Sequence, residues 1–193
     1  MKTVKDLMVP AVECGSVHQD LTVCEAILTF KSAQGEQGSN WGFFKGGALL
    51  VRSKDNRVVG KLGGSDIVMN MDPAYRTRED SQAIAHTSTV GLSPALLKSL
   101  IQDFAIWGES FEQRCQELLD LKVKDCMCLP GSNVSVMESD LLEVAIHKLA
   151  TGRHQSLLVT GGNLVVGLLR LIDVFDQLAR GCQEEDGLGY TNQ

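Results

Sequence analysis

No apolar run in this chain approaches the roughly 20 residues that span a bilayer, so no membrane segment is expected. The first ten residues, MKTVKDLMVP, lack the unbroken apolar stretch of a secretory signal. Positive charge is also short: 18 basic residues face 24 acidic ones, for a formal net charge of -6. That balance offers no global footprint for nucleic acid, whose backbone is densely negative. Paired C-x-x-C motifs are absent. The six cysteines, Cys14, Cys24, Cys115, Cys126, Cys128 and Cys182, read as reduced thiols in a cytoplasmic protein. Cys126 and Cys128 form a CxC without a second ligand pair, and His18, His86, His147 and His154 make no short metal pattern. The chain has no G-x-x-x-x-G-K-[ST], no H-E-x-x-H and no G-x-S-x-G. No catalytic residue and no metal ligand is assigned, and the expectation is not an enzyme.

What is present is enough apolar material, 44% of 193 residues, for one ordinary core or two small ones. The chain also repeats itself. Val4-Lys5-Asp6-x-Met8 recurs as Val123-Lys124-Asp125-x-Met127, and Ala26-Ile27 as Ala145-Ile146. Leu49-Leu50-Val51 recurs as Leu157-Leu158-Val159. Val58-Val59-Gly60 recurs as Val165-Val166-Gly167, and Asp66 as Asp173. The order is kept, and the first copy carries extra residues in a Gly-rich stretch, 34–47, of loop character.

Each copy predicts the same elements. Thr22-x-x-Glu25 is a capping box, and Val23, Ala26, Ile27 and Phe30 follow on one helical face. Asp140-x-x-Glu143 resembles that cap, ahead of Leu142, Ala145, Ile146 and Leu149. Two apolar runs then flank a turn, Lys54-Asp55-Asn56 or Gly161-Gly162-Asn163, as in a hairpin. A last helix starts near Asp66 or Asp173, the second expected to stop at Gly181. Between the copies a helical hairpin is expected. Ser93-Pro94 opens one helix with Leu97, Leu100, Ile101 and Phe104 on a face. Ser110-x-x-Gln113 caps another with Phe111, Cys115 and Leu118 on one side. The apolar stripe Phe104, Ile106, Trp107 and Phe111 reads either as core or homodimer surface or as a surface for a foreign partner. Trp41, Phe43 and Phe44 in the 35–47 loop read either as folded onto the core or as a lid or partner patch.

The doubled Val-Lys-Asp-x-Met, capped helix, hairpin and Val-Val-Gly…Asp resemble the CBS domain, and two copies resemble a Bateman module. The resemblance implies an α/β (α+β) fold: two β-α-β-β-α units packed with pseudo-twofold symmetry and a helical insertion between them. The units span residues 1–72 and 120–181, the insertion 73–119 and a flexible tail 182–193. It further implies a homodimer, an adenine nucleotide (AMP, ADP or ATP) or adenosyl ligand between the units with no required cofactor, and action in trans on a protein partner. Neither nucleic acid nor membrane is an expected partner. The alternative is a ligand-free dimerisation scaffold.

In that family's Gly-h-h-Ser/Thr-x-x-Asp motif the Asp holds ribose hydroxyls and the Ser/Thr contacts phosphate. Here the motifs are Gly60-Lys61-Leu62-Gly63-Gly64-Ser65-Asp66 and Gly167-Leu168-Leu169-Arg170-Leu171-Ile172-Asp173. Asp66 and Asp173 fill the ribose position, where they also suit a helix N-cap. Neither hydroxyl position is filled: Gly63 and Arg170 stand there. Gly63 offers a backbone N–H with close approach. Arg170 offers either a phosphate clamp or a salt bridge to a nearby carboxylate. Arg153 and His154, ahead of a strand, face either a phosphate or solvent. Lys61, alternating with Val59 and Leu62, is expected on the solvated strand face.

Overall fold

The computed structural model describes residues 1–32, 47–71 and 110–186. The expected aromatic loop with Trp41, Phe43 and Phe44, the expected first insertion helix with Phe104, Ile106 and Trp107, and residues 187–193 lie outside the described residues, as does the side chain of Phe30. A 3₁₀ turn, Val4–Asp6, precedes β1 (Val9–Pro10), β2 (Ser16–His18) and α1 (Val23–Ser32). The hairpin β3 (Ala48–Arg52) and β4 (Val58–Gly63) leads into α2 (Gly64–Met69). Then come α3 (Phe111–Asp120), α4 (Val123–Cys126), β5 (Ser135–Met137) and α5 (Leu142–Thr151). The second hairpin is β6 (Ser156–Gly161) and β7 (Leu164–Arg170), followed by α6 (Leu171–Asp186).

The sheets are small and mixed: β2-β3-β4, and β1-β7-β6-β5. In each, a parallel strand leads through a helix to an antiparallel hairpin. Both hairpin turns are at the expected residues, with Asn56 at φ 59° and Gly162 at φ 61°. Both residue types accept this left-handed region.

The repeated Val-Lys-Asp-x-Met segment packs on the opposite unit. Val4 is buried among Val136, Leu142, Ala145 and Leu157 of the second unit. Val123 and Cys126 are buried among Val17, Val23, Leu49 and Leu62 of the first. The backbone bonds match in pairs. Val4 N–H donates to Asp140 O at 2.9 Å, and Val123 N–H to Leu21 O at 2.9 Å. Lys5 N–H donates to Glu138 O at 3.0 Å, and Lys124 N–H to Gln19 O at 3.0 Å. Each arm then runs over the Val-Val-Gly strand. β1 pairs with β7 through Pro10 and Gly167, and Cys128 bridges Lys61 beside Gly60. Glycine is required at both crossings. A Cβ on Gly60 would sit 2.7 Å from Cys128 O, and one on Gly167 would overlap the Val9 carbonyl.

Helix faces follow their periodicity with specific exceptions. The Thr22 box forms in full: Glu25 accepts from Thr22 N at 2.7 Å, and Thr22 Oγ1 accepts from Glu25 N at 3.1 Å. Val23 and Ala26 are buried, with Ile27 packed beside them. Asp140, by contrast, does not cap α5. The N-cap is Leu141, and Asp140 accepts from Met137 N at 2.9 Å, closing the preceding turn. Ile146 is 38% exposed, so the buried face of α5 is Leu142, Ala145 and Leu149. The Ser110 box also forms, but α3 is rotated from the expected face: Phe111 is 57% exposed, while Leu118 and Arg114 are buried. Arg114 donates to Met71 O at 3.4 Å, tying α3 to the end of the first unit. Gly181 does not end α6, which runs on to Asp186. A helical Gly costs only about 1 kcal/mol relative to Ala, which a single position in a long helix tolerates.

Candidate functional site

The two sheets face each other through Ala48, Leu50, Leu158 and Leu168. Leu49 and Val51, the alternate residues of β3, face α1 instead. Both faces of the first sheet are therefore covered, which corrects the expectation for Lys61. Its register partner is Leu50, so it points into the layer between the sheets and is only 6% exposed. Lys61 Nζ crosses that layer to donate to Ser156 Oγ of the second unit at 3.3 Å. Alternation alone does not tell a solvated face from one covered by a second sheet.

Beside this contact lies a cleft of about 240 Å³, lined by Gly47, Lys61, Gly63, Gly64, Ser65, Gln155 and Ser156. It joins the first motif to the entry of the second hairpin. The β4–α2 junction builds one wall. Gly63 is the N-cap of α2, and Asp66 Oδ2 accepts its N–H at 2.7 Å. A Cβ on Gly63 would stand 3.3 Å from Asp66 Oδ2, so glycine leaves room for that carboxylate. Ser65 brings a hydroxyl to the cleft two residues beyond the position where the resemblance places one.

Burial pushes the Asp66 carboxyl above its ordinary range, against the opposing pull of Lys61, the Gly63 N–H and His154. The folded state therefore holds this proton more firmly than the unfolded chain, whose carboxyl ionises near 3.8. The stability so contributed is complete below that pH and is lost as pH rises through the folded pKa. Asp66→Asn keeps the hydrogen bond and stays neutral. Its urea midpoint is expected to exceed that of the wild type at about pH 7 and to converge with it toward about pH 4. A lower midpoint for Asn at neutral pH would show that Lys61 and the Gly63 N–H outweigh the burial cost. His154 is half-buried near Lys61 and Asp66; burial, then Lys61, lowers its pKa, while a backbone bond at Asn133 and then Asp66 oppose the shift. Arg153 sits beside it at φ 50° with its side chain exposed.

The second motif is arranged differently. Arg170 Nε donates to Asp173 Oδ2 at 2.8 Å, Arg170 N to the same oxygen at 3.2 Å, and Arg170 Nη2 pairs with Asp173 Oδ1. Both carboxylate oxygens are thus engaged by the residue three positions back. Where the first motif has Lys61, the second has Leu168, 2% exposed. Gly63, Asp66 and His154 therefore gather at one site, with Lys61, Ser65 and Ser156 as additions that the motif alone does not reveal. Arg170 and Asp173 form a separate pair. All six cysteines are free thiols, and among the described residues no His/Cys/Asp/Glu cluster suits a metal ion.

No family model matches this sequence, and no curated protein sequence matches it. Solved structures do match. CBSX2 in complex with AMP is 16% identical, over 93% of this chain and 98% of that one, with a TM-score of 0.56. A CBS-domain containing protein from Agrobacterium tumefaciens is 15% identical, over 90% of this chain and 91% of that one, at 0.54. The CBS domain of a bacterial CNNM/CorC family Mg2+ transporter in complex with ATP is 14% identical, over 92% and 87%, at 0.52.

Proposed function

We propose that this chain, whose fold is that of tandem CBS-domain proteins, is a regulatory module that holds an adenine nucleotide or related adenosyl compound between its two units. The carrying observation is the cleft where Gly63 and Lys61 of one unit meet Ser156 of the other, with Asp66 beside it. An ionised carboxylate next to backbone N–H groups and a buried ammonium suits ribose hydroxyls on one side and phosphate on the other. Two neighbours of this fold were solved with AMP and ATP, which supports the ligand class. Because the cleft is shared by both units, a ligand that prefers one arrangement of them shifts the population toward it. The output is action in trans on a protein partner, and the protein is not itself an enzyme. A cytoplasmic location fits six free thiols, and no described helix is long and apolar enough to cross a membrane.

Thermal unfolding against AMP, ADP, ATP and adenosyl compounds tests this reading. At about 100 times its dissociation constant the true ligand stabilises the protein by about 2.7 kcal/mol. No rise across the panel would overturn it. The ligand-free scaffold is the second reading, favoured by the Arg170–Asp173 pair, which occupies the second motif's carboxylate from within.

A homodimer is part of the proposal. Phe175 and Leu178 on α6 and Val68 on α2 are each more than half exposed, and Val68 and Phe175 hold corresponding positions in the two copies. Phe175→Asp is expected to convert a dimer into a monomer by light scattering after gel filtration. A wild type that is already monomeric, or a variant that stays dimeric, would remove this face from the account.

A further inference from the structure

We propose that Lys61 makes the cleft selective for phosphorylated ligands, its ammonium taking the phosphate that the missing motif hydroxyl leaves without a side-chain partner. The inference rests on the nucleotide reading above and narrows it to the phosphorylated forms. A buried ammonium is costly unless its donors are met. Lys61 has three donors. Among the described residues its one hydrogen bond goes to a neutral hydroxyl, Ser156 Oγ, and no carboxylate lies within ion-pair distance. The fold itself does not require a cation at this place. Leu168, in the same position of the second copy, fills the layer between the sheets with apolar atoms alone.

The cleft walls agree with an anion. Gly63 and Gly64 present backbone without side-chain bulk, and Ser65 and Ser156 add hydroxyls. Asp66 stands to the side, engaged with Gly63 N–H and outside ion-pair distance of Lys61. The charges are thus separated along the cleft, a carboxylate for sugar hydroxyls and an ammonium for phosphate.

The test is titration calorimetry of the full chain with AMP and with adenosine, on the wild type, Lys61→Met and Lys61→Arg. The wild type is expected to bind AMP about tenfold or more tighter than adenosine, as a charge-assisted hydrogen bond contributes. Lys61→Met is expected to lose that preference through weaker AMP binding, and Lys61→Arg to keep much of it. Lys61→Met is also expected to melt no lower than the wild type, since methionine reproduces the apolar setting of Leu168. Equal binding of AMP and adenosine by the wild type, a comparison that needs no variant, overturns the inference and leaves the nucleotide reading standing. Retention of the AMP preference in Lys61→Met does the same. If the wild type binds neither compound and nothing in the nucleotide panel stabilises it, the nucleotide reading fails and this inference with it.

Discussion

Asp66→Ala is expected to abolish the rise in melting temperature that a saturating adenine nucleotide gives the wild type, while Asp173→Ala leaves most of it. The two residues hold the same position in the two copies, and their surroundings differ. Asp66 Oδ2 takes one N–H from Gly63, and among the described residues Oδ1 carries no hydrogen bond. It is half-buried next to an open cleft. Asp173 has both oxygens on Arg170, so a ribose would have to displace a paired guanidinium to reach it. With a ligand near 100 times its dissociation constant, about 2.7 kcal/mol is at stake, or a rise of roughly 5–10 °C for a chain of this size. Thermal unfolding with and without ligand, on both variants, measures it. A rise lost in Asp173→Ala and kept in Asp66→Ala would move the working site to the second motif.

The largest effect on stability is expected from Gly167→Val. The arm that ends in Met8 and Val9 crosses β7 at Gly167, and a Cβ there would overlap the Val9 carbonyl oxygen and sit 3.2 Å from its carbon. Both atoms belong to backbone, so no rotamer change relieves the clash. Relief requires β1 to leave its sheet, taking with it the arm that buries Val4 in the second core. The expected loss is about 3 kcal/mol or more, at the upper end for overpacking. Urea unfolding reads it as a lower midpoint. Gly181→Ala is the control. Nothing lies within 4 Å of its added Cβ, and it sits inside α6, so a gain of about 0.5–1 kcal/mol is expected. A Gly167→Val protein as stable as the wild type would show that the arms are not held where described.

What could be read from the sequence was local. The Thr22 and Ser110 capping boxes, both turns and the inward residues Val23, Ala26, Leu142, Ala145 and Leu149 depend on spacing within a few residues. The Arg170–Asp173 pair was within reach as the salt-bridge alternative at i,i+3. The exchange of the arms was not, because Val4 and Val123 look alike in either unit's core and nothing nearby says which one they enter. The repeated Val-Val-Gly held a clue to it. A glycine recurring inside a strand marks close backbone approach, and the approaching strand comes from the other copy. Lys61 departs from its expected face for the same non-local reason, since the second sheet covers a face that one strand's alternation assigns to water. Ser65 was visible in Gly-Gly-Ser-Asp as the nearest hydroxyl to the empty motif position. Ser156 was beyond reach, because its meeting with Lys61 depends on how the units pack.

One cleft, lined by Lys61 and Gly63 against Ser156 with Asp66 beside it, is proposed to hold the nucleotide. A crystal structure of the full chain grown with AMP tests it most directly. The account predicts AMP in that cleft, with Asp66 Oδ1 on a ribose hydroxyl and Lys61 Nζ on the phosphate, and the Arg170–Asp173 pair intact. AMP bound at the second motif with that pair opened, or both clefts empty at saturating AMP, would contradict it.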